Sequence, residues 1–288
     1  MSSSPRGGLV RQARRPEGWT PPGPEPVGPG DRDDLWPAKG EDLCFLTGHW
    51  RIFQRLKGHR YSVDDLMTAW YAVEQVRQRP PALAADIGCG IGSVLMMTAW
   101  RLQQTRFIGV EAQDISVDLA WRSIAYNGIG DRVEARHGDL RDASIIPEGP
   151  VFDLVTGTPP YIPVGDGIMS EREQCGPCRF ELRGGIEDYC LSAARLLAPG
   201  GQFVACHAAA QRPRVEAAAR AAGLVVSRLR EVVPRGGRSP LFTVFCMVLA
   251  DDPSAPAETL VEPPFLVRDA EGSRTEEYLA VRRDMGMP

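Results

Sequence analysis

Asp86-Ile87-Gly88-Cys89-Gly90-Ile91-Gly92 sets an acid two residues ahead of three alternating glycines. Glycines at that spacing let the backbone turn tightly and approach a ligand closely. The pattern differs from the GxGxxG of dinucleotide sites, and its leading residue is an anion. A pyrophosphate seated at the following helix start would be repelled by that carboxylate, although the helix dipole favours it. S-adenosylmethionine carries an ammonium and a sulfonium and no phosphate, so Asp86 fits it better. Glu111 follows some 20 residues later, where an acid binds ribose hydroxyls. Asp139, with Leu140 beside it, is placed to meet an adenine amino group. Three acids at successive strand ends are a far more specific signal than the glycines alone. These residues form the candidate cofactor site.

A second cluster, Thr158-Pro159-Pro160-Tyr161, leaves the next strand at the edge of the sheet where the transferred methyl group would lie. The two prolines fix the backbone there. Tyr161 offers a flat face to a planar target. These four are the candidate catalytic residues.

Positioning them requires strands that end at one edge. The hydrophobic pattern predicts strands over 83–87, 106–111, 133–137, 151–157, 202–207, 225–233 and 241–249. Helices are expected over 64–76, 92–102, 115–126, 186–197 and 213–222. Strands alternating with helices of this length give βαβ units and an α/β fold with a mostly parallel sheet. The last two strands are joined by a short polar loop, which predicts a final antiparallel strand. Residues 43–53 read as a short hairpin or strand pair in the N-terminal extension of this domain, which spans 41–250.

Composition bounds the rest. Residues 1–40 are rich in Pro, Gly, Ser and Arg, and are expected to form a disordered tail. Arg11, Arg14 and Arg15 lie in it; they could touch phosphates, but a solvated basic tail is the plainer reading. Residues 251–288 are polar and Pro-rich, a C-terminal tail partly docked through Phe265-Leu266-Val267. Seven cysteines in 288 residues, with no leader-like apolar run, argue against a disulfide framework. Cys175 and Cys178 form one CxxC pair in a polar loop, and no second pair completes a zinc site. No metal is expected. No membrane-spanning run is present, and a cytoplasmic location is expected. A net charge of −4 gives no global support to a nucleic-acid partner. No obligatory protein partner is inferred.

The chain resembles class I methyltransferases, with their Rossmann-like seven-stranded sheet and an Asn/Asp-Pro-Pro-Tyr/Phe motif. Such enzymes act on amino nitrogens conjugated to a ring or carbonyl: adenine, guanine or a glutamine amide. The resemblance implies that residue 158 and the carbonyl of Pro159 accept the two hydrogens of that nitrogen, and that Tyr161 stacks on the target. Thr158 departs from the Asn or Asp of the pattern, which leaves a glutamine amide, a small molecule or a non-catalytic binding protein as alternatives. Four further stretches resemble the bacterial tRNA(Val) adenine N6-methyltransferase family. They are Gln54 with Gly58-His59-Arg60-Tyr61-Ser62-Val63-Asp64, then Cys178-Arg179-Phe180-Glu181 with Gly185-Ile186-Glu187-Asp188-Tyr189, then Arg228 to Met247, and last Leu266 to Thr275. The resemblance covers about residues 50–285. It adds Tyr61 and Asp64 to the candidate cofactor contacts and makes tRNA the expected substrate. Arg60, Arg172, Arg179, Arg183, Arg235 and Arg238 fall where they would face RNA phosphates, or else simply meet solvent.

Overall fold

A computed structural model describes residues 2–12, 15–147, 149, 151–163, 165, 174, 178 and 180–288. Four strands open the chain: β1 (Ser2–Ser3), β2 (Leu9–Val10), β3 (Glu41–Thr47) and β4 (Trp50–Arg55). They form a small sheet in that order, with β2 parallel to β3 and β3–β4 a hairpin. Next come α1 (Val63–Val76), β5 (Leu83–Ile87), α2 (Ser93–Arg101), β6 (Arg106–Glu111), α3 (Asp114–Asn127), β7 (Val133–His137) and β8 (Phe152–Gly157). After them run α4 (Ile186–Leu196), β9 (Leu197–Ala208), α5 (Arg212–Ala221), β10 (Leu224–Val233) and β11 (Phe242–Leu249). Two short strands, β12 (Leu260–Val261) and β13 (Phe265–Leu266), and a last helix, α6 (Glu276–Asp284), complete the chain.

The large sheet runs β7-β6-β5-β8-β9-β11-β10, with β12 and β13 each pairing along β10. From β7 to β9 every pairing is parallel, and β11 is antiparallel to both β9 and β10. This is the expected α/β sheet of seven principal strands with one antiparallel member, widened by two short edge strands. The inner strands are apolar on both faces because helices cover both. Leu66, Met67, Leu95, Met96, Val117 and Ile124 of α1, α2 and α3 fill one layer. Ile186, Tyr189, Leu196 and Val215 of α4 and α5 fill the other. Parallel strands deliver all their C-terminal ends to one edge, and that edge carries the candidate residues.

Residues 1–40 are not the disordered tail that composition predicts. The described part of this segment, residues 2–12 and 15–40, runs as a strap over the hairpin and α3. The Gly28 N–H donates to the Tyr126 carbonyl at 3.0 Å, and Leu35 is 2% exposed. Arg122 of α3 donates to the carbonyl oxygens of Asp34 (2.9 Å) and Trp36 (3.2 Å) and pairs with Glu41 at 2.7 Å. The apolar content is indeed low, but main-chain hydrogen bonds and a buried arginine hold the strap, and composition does not report either. At the other end Phe265 is fully buried, and Tyr278 and Val281 of α6, with Met285 just after it, pack against the same core as the hairpin. Among the described residues no helix is long and apolar enough to cross a membrane.

Candidate functional site

A cavity of about 350 Å³ opens at the C-terminal ends of β5, β6 and β8. Gly88, Gly90, Glu111, Asp139, Leu140, Asp64 and all of Thr158, Pro159, Pro160 and Tyr161 line it. Candidate cofactor and acceptor residues thus share one space of the size that small-molecule sites occupy.

The glycines divide the work. Gly88 has φ of +67°, and a Cβ there would lie 1.9 Å from the Tyr189 hydroxyl oxygen. Gly90 has φ of +56° and a Cβ would meet nothing within 4 Å, so its backbone faces open space. Gly92 does not line the cavity; at φ of +83° it leads the chain into α2. Glu111 accepts the Gly90 N–H at 2.9 Å and the Gln113 N–H at 2.7 Å. Burial raises its pKa above the usual range, while those two N–H groups favour the anion and oppose the shift. Asp139 is held low by the Arg141 guanidinium, 2.6 Å away.

Two expected contacts are displaced. Asp86 is 2% exposed and lies behind the cavity wall rather than on it. One carboxylate oxygen takes the Thr156 hydroxyl at 2.8 Å, and the other, also buried, has no partner among the described residues. Burial pushes its pKa up to about 7. Tyr61 is absent from this cavity; its hydroxyl donates to the Phe45 carbonyl at 2.9 Å and its ring lines a second cavity. Both β5 faces are buried, so strand alternation does not tell which way Asp86 points. Tyr61 precedes a helix, where no periodicity sets direction.

Asp65 is a member the sequence reading missed. The Ser62 N–H caps it at 2.8 Å across the first turn of α1, and Ser93 of α2 donates to it at 2.6 Å. Burial, and then the neighbouring Asp64, raise its pKa. A buried acid beside Asp64, on the wall of a cavity that Glu111 also lines, with an orphaned carboxylate oxygen on Asp86 behind it, makes the pocket electron-rich. That suits a ligand carrying positive charge. The capping pattern Ser-x-x-Asp at 62–65 was the available signal.

At the acceptor end, Thr158 has no side-chain hydrogen bond among the described residues, which leaves its hydroxyl available. Tyr161 donates to Asp64 at 3.3 Å, contacts the Cys206 sulfur at 3.0 Å, and holds its ring 5.0 Å from that of His207. His207 is fully buried, and burial pushes it down to about 4, so the tyrosine rests on a neutral imidazole. The aromatic is therefore anchored by its hydroxyl and backed by a second ring.

The predicted arginines scatter. Arg183 lines the cavity. Arg60 pairs with Asp42 at 2.8 Å, and Arg235 donates to the Ala270 carbonyl at 3.0 Å. Arg238 is exposed. Arg14, Arg172, Arg179 and Cys175 lie outside the described residues. Cys178 lines the cavity and its sulfur accepts from Gln113 at 3.4 Å. No group of metal-ligating side chains assembles among the described residues.

No family model matches the chain. A Porphyromonas gingivalis tRNA1(Val) (adenine(37)-N6)-methyltransferase is 26% identical over 227 residues, covering 76% of this chain and 86% of that protein. A Xylella fastidiosa release factor glutamine methyltransferase is 29% identical over 189 residues, covering 59% and 66%. Among solved structures, an Agrobacterium tumefaciens protein described as a predicted O-methyltransferase superposes with a TM-score of 0.59 at 18% identity, over 78% of this chain and 98% of its own.

Proposed function

We propose that the chain is a class I S-adenosylmethionine-dependent methyltransferase that methylates the exocyclic amino nitrogen of an adenine in tRNA, and that it works in the cytoplasm. One observation carries this reading: Thr158-Pro159-Pro160-Tyr161 lines the same cavity as Gly88, Gly90 and Glu111. The similarity to the Porphyromonas enzyme supports RNA as the acceptor.

Glu111 would hold the ribose hydroxyls and Asp139 the adenine amino group of the cofactor, with the main chain at Gly90 close against it. Asp65 and Asp64 would face its positive charge, and Asp86 would act from behind the wall. The cofactor supplies an electrophilic methyl carbon. The Thr158 hydroxyl and the Pro159 carbonyl accept the hydrogens of the target amino group, keeping its lone pair aimed along the line of attack. Tyr161, braced by Asp64 and His207, supplies the stacking surface. An exocyclic amine is a weak nucleophile because its lone pair is delocalised, and orientation with two acceptors addresses that weakness.

A second reading keeps the fold and changes the acceptor to a glutamine side-chain amide. The similarity to the Xylella enzyme favours it, and the amide nitrogen poses the same chemical problem. Labelled S-adenosylmethionine, incubated in parallel with total tRNA, ribosomal RNA, protein extract and small metabolites, separates the two. Label in tRNA that digests to methylated adenosine is the expected result. Label only in protein replaces the adenine reading with the amide one, and label nowhere, with cofactor bound, removes both.

A further inference from the structure

A second cavity, of about 390 Å³, lies between the strap, the β3–β4 hairpin and α6. Arg15, Trp19, Phe45, Tyr61, Tyr278 and Arg282 are among its walls. It is one turn of chain away from the first: Tyr61 and Ser62 face the second cavity, His59 and Asp64 the first. Nothing in the reaction described above uses it.

Its cations lie against aromatic rings. The Arg15 guanidinium sits 4.6 Å from the centre of the Phe45 ring and 5.3 Å from that of Trp19. The Arg51 guanidinium sits 3.9 Å from the same Phe45 ring. Arg11, Arg60, Arg122 and Arg214 all pair with carboxylates. Arg15 and Arg51 have no carboxylate partner among the described residues; Arg51 donates instead to the Arg11 carbonyl at 3.0 Å. Burial, with Arg15 adding to it, lowers the Arg51 pKa despite the opposing influence of Tyr126. Two half-buried cations on one ring, neither paired with a side-chain carboxylate among the described residues, leave a positive potential that an anion would neutralise. The aromatic walls and the guanidinium planes favour a flat ligand. A phosphate joined to a planar ring satisfies both demands.

We propose that this cavity binds a nucleotide of the RNA substrate other than the one that is methylated, its base against Trp19 and Tyr61 and its phosphate at Arg15, with Arg51, which touches the Phe45 ring but does not line the cavity, adding to the positive potential. The proposal rests on the RNA reading of the neighbouring site. It also turns the strap into part of the substrate surface.

Binding of a fluorescently labelled tRNA anticodon stem-loop to the full chain tests it, measured across a salt series with S-adenosylmethionine affinity followed in parallel. Arg15→Glu is expected to weaken RNA binding by about tenfold or more, and Arg15→Gln to lower the slope of log K against log salt by about one. Trp19→Ala is expected to weaken binding by about five- to tenfold. Arg15→Lys should keep the salt slope, and cofactor affinity should stay within about twofold throughout. Arg15→Gln is the variant to read if Arg15→Glu unfolds. Wild-type RNA affinity in Arg15→Gln and Trp19→Ala overturns the proposal, as does a wild-type chain that binds no RNA. If tRNA is methylated and these variants bind normally, the cavity proposal falls and the adenine reading stands. If the variants lose RNA binding and methylation falls on an RNA atom other than an adenine amino nitrogen, the adenine reading falls and the cavity proposal stands; if no RNA is ever methylated, both fall.

Discussion

Glu111 spends both carboxylate oxygens on main-chain N–H groups, those of Gly90 and Gln113. Its place on the wall is thereby fixed before any ligand arrives. Glu111→Gln would set an amide NH2 against one of those donors, and cofactor affinity is expected to fall about tenfold or more by calorimetry. Unchanged affinity would remove Glu111 from the cofactor site. Thr158 invites the opposite experiment. A side-chain hydroxyl differs from a carboxamide in reach and in basicity. If threonine is matched to this enzyme's own acceptor, Thr158→Asn lowers single-turnover transfer by about tenfold or more; a gain would instead mark the wild-type site as degenerate. Much of the site was legible because acids at strand ends, Glu111 and Asp139, recur at spacings that βαβ geometry dictates. Asp65, Tyr189 and His207 were not legible. They meet the site from α1, α4 and β9, and no spacing along the chain reports a meeting of distant elements. The direction of Asp86 was hidden because both faces of β5 are covered.

The elements hold the site through two close approaches. At Gly88, positive φ coincides with contact against Tyr189 of α4, so Gly88→Ala pays twice, in backbone strain and in a clash. Its melting transition is expected to reflect a loss of about 2–4 kcal/mol. Gly90→Ala meets no neighbour, so its cost in the absence of ligand is expected near 1 kcal/mol, with the larger loss appearing in cofactor affinity. Equal stability losses in the two variants would contradict this division. Phe265→Ala empties a fully buried site between Trp70 and Tyr278 and is expected to cost about 3–5 kcal/mol in denaturant unfolding. The strands and helices of the sheet were legible because their apolar runs are long and end in Gly, Pro or Asn. The strap was not, since much of what fixes it is main-chain pairing of β2 with β3 and an arginine contributed by α3.

The molecule as a whole keeps an acid-lined pocket inside a protein that is itself slightly acidic. Burial raises Asp86 to about 7 and raises Asp65 as well. Such groups keep their protons in the folded state after the unfolded chain has released them. Their stabilising contribution is complete below the ordinary value of 3.8 and is lost as pH rises towards and through 7. A cationic ligand counteracts that loss, so the rise in melting temperature on adding S-adenosylmethionine is expected to be larger above pH 7 than well below it. A pH series with and without cofactor checks this, and equal shifts across the series would show that these acids do not sense the ligand. The reversed strand β11 has a different kind of consequence. It lies between β9 and β10, hydrogen-bonded to both. Any chain interrupted before residue 242 leaves β9, with Phe203, Val204 and Ala205 in its run, as a long unpaired edge. An open apolar edge recruits other chains. Incomplete products of this protein should therefore precipitate rather than persist as a working cofactor domain, and a version truncated after Pro240 is expected to collect in the insoluble fraction on expression.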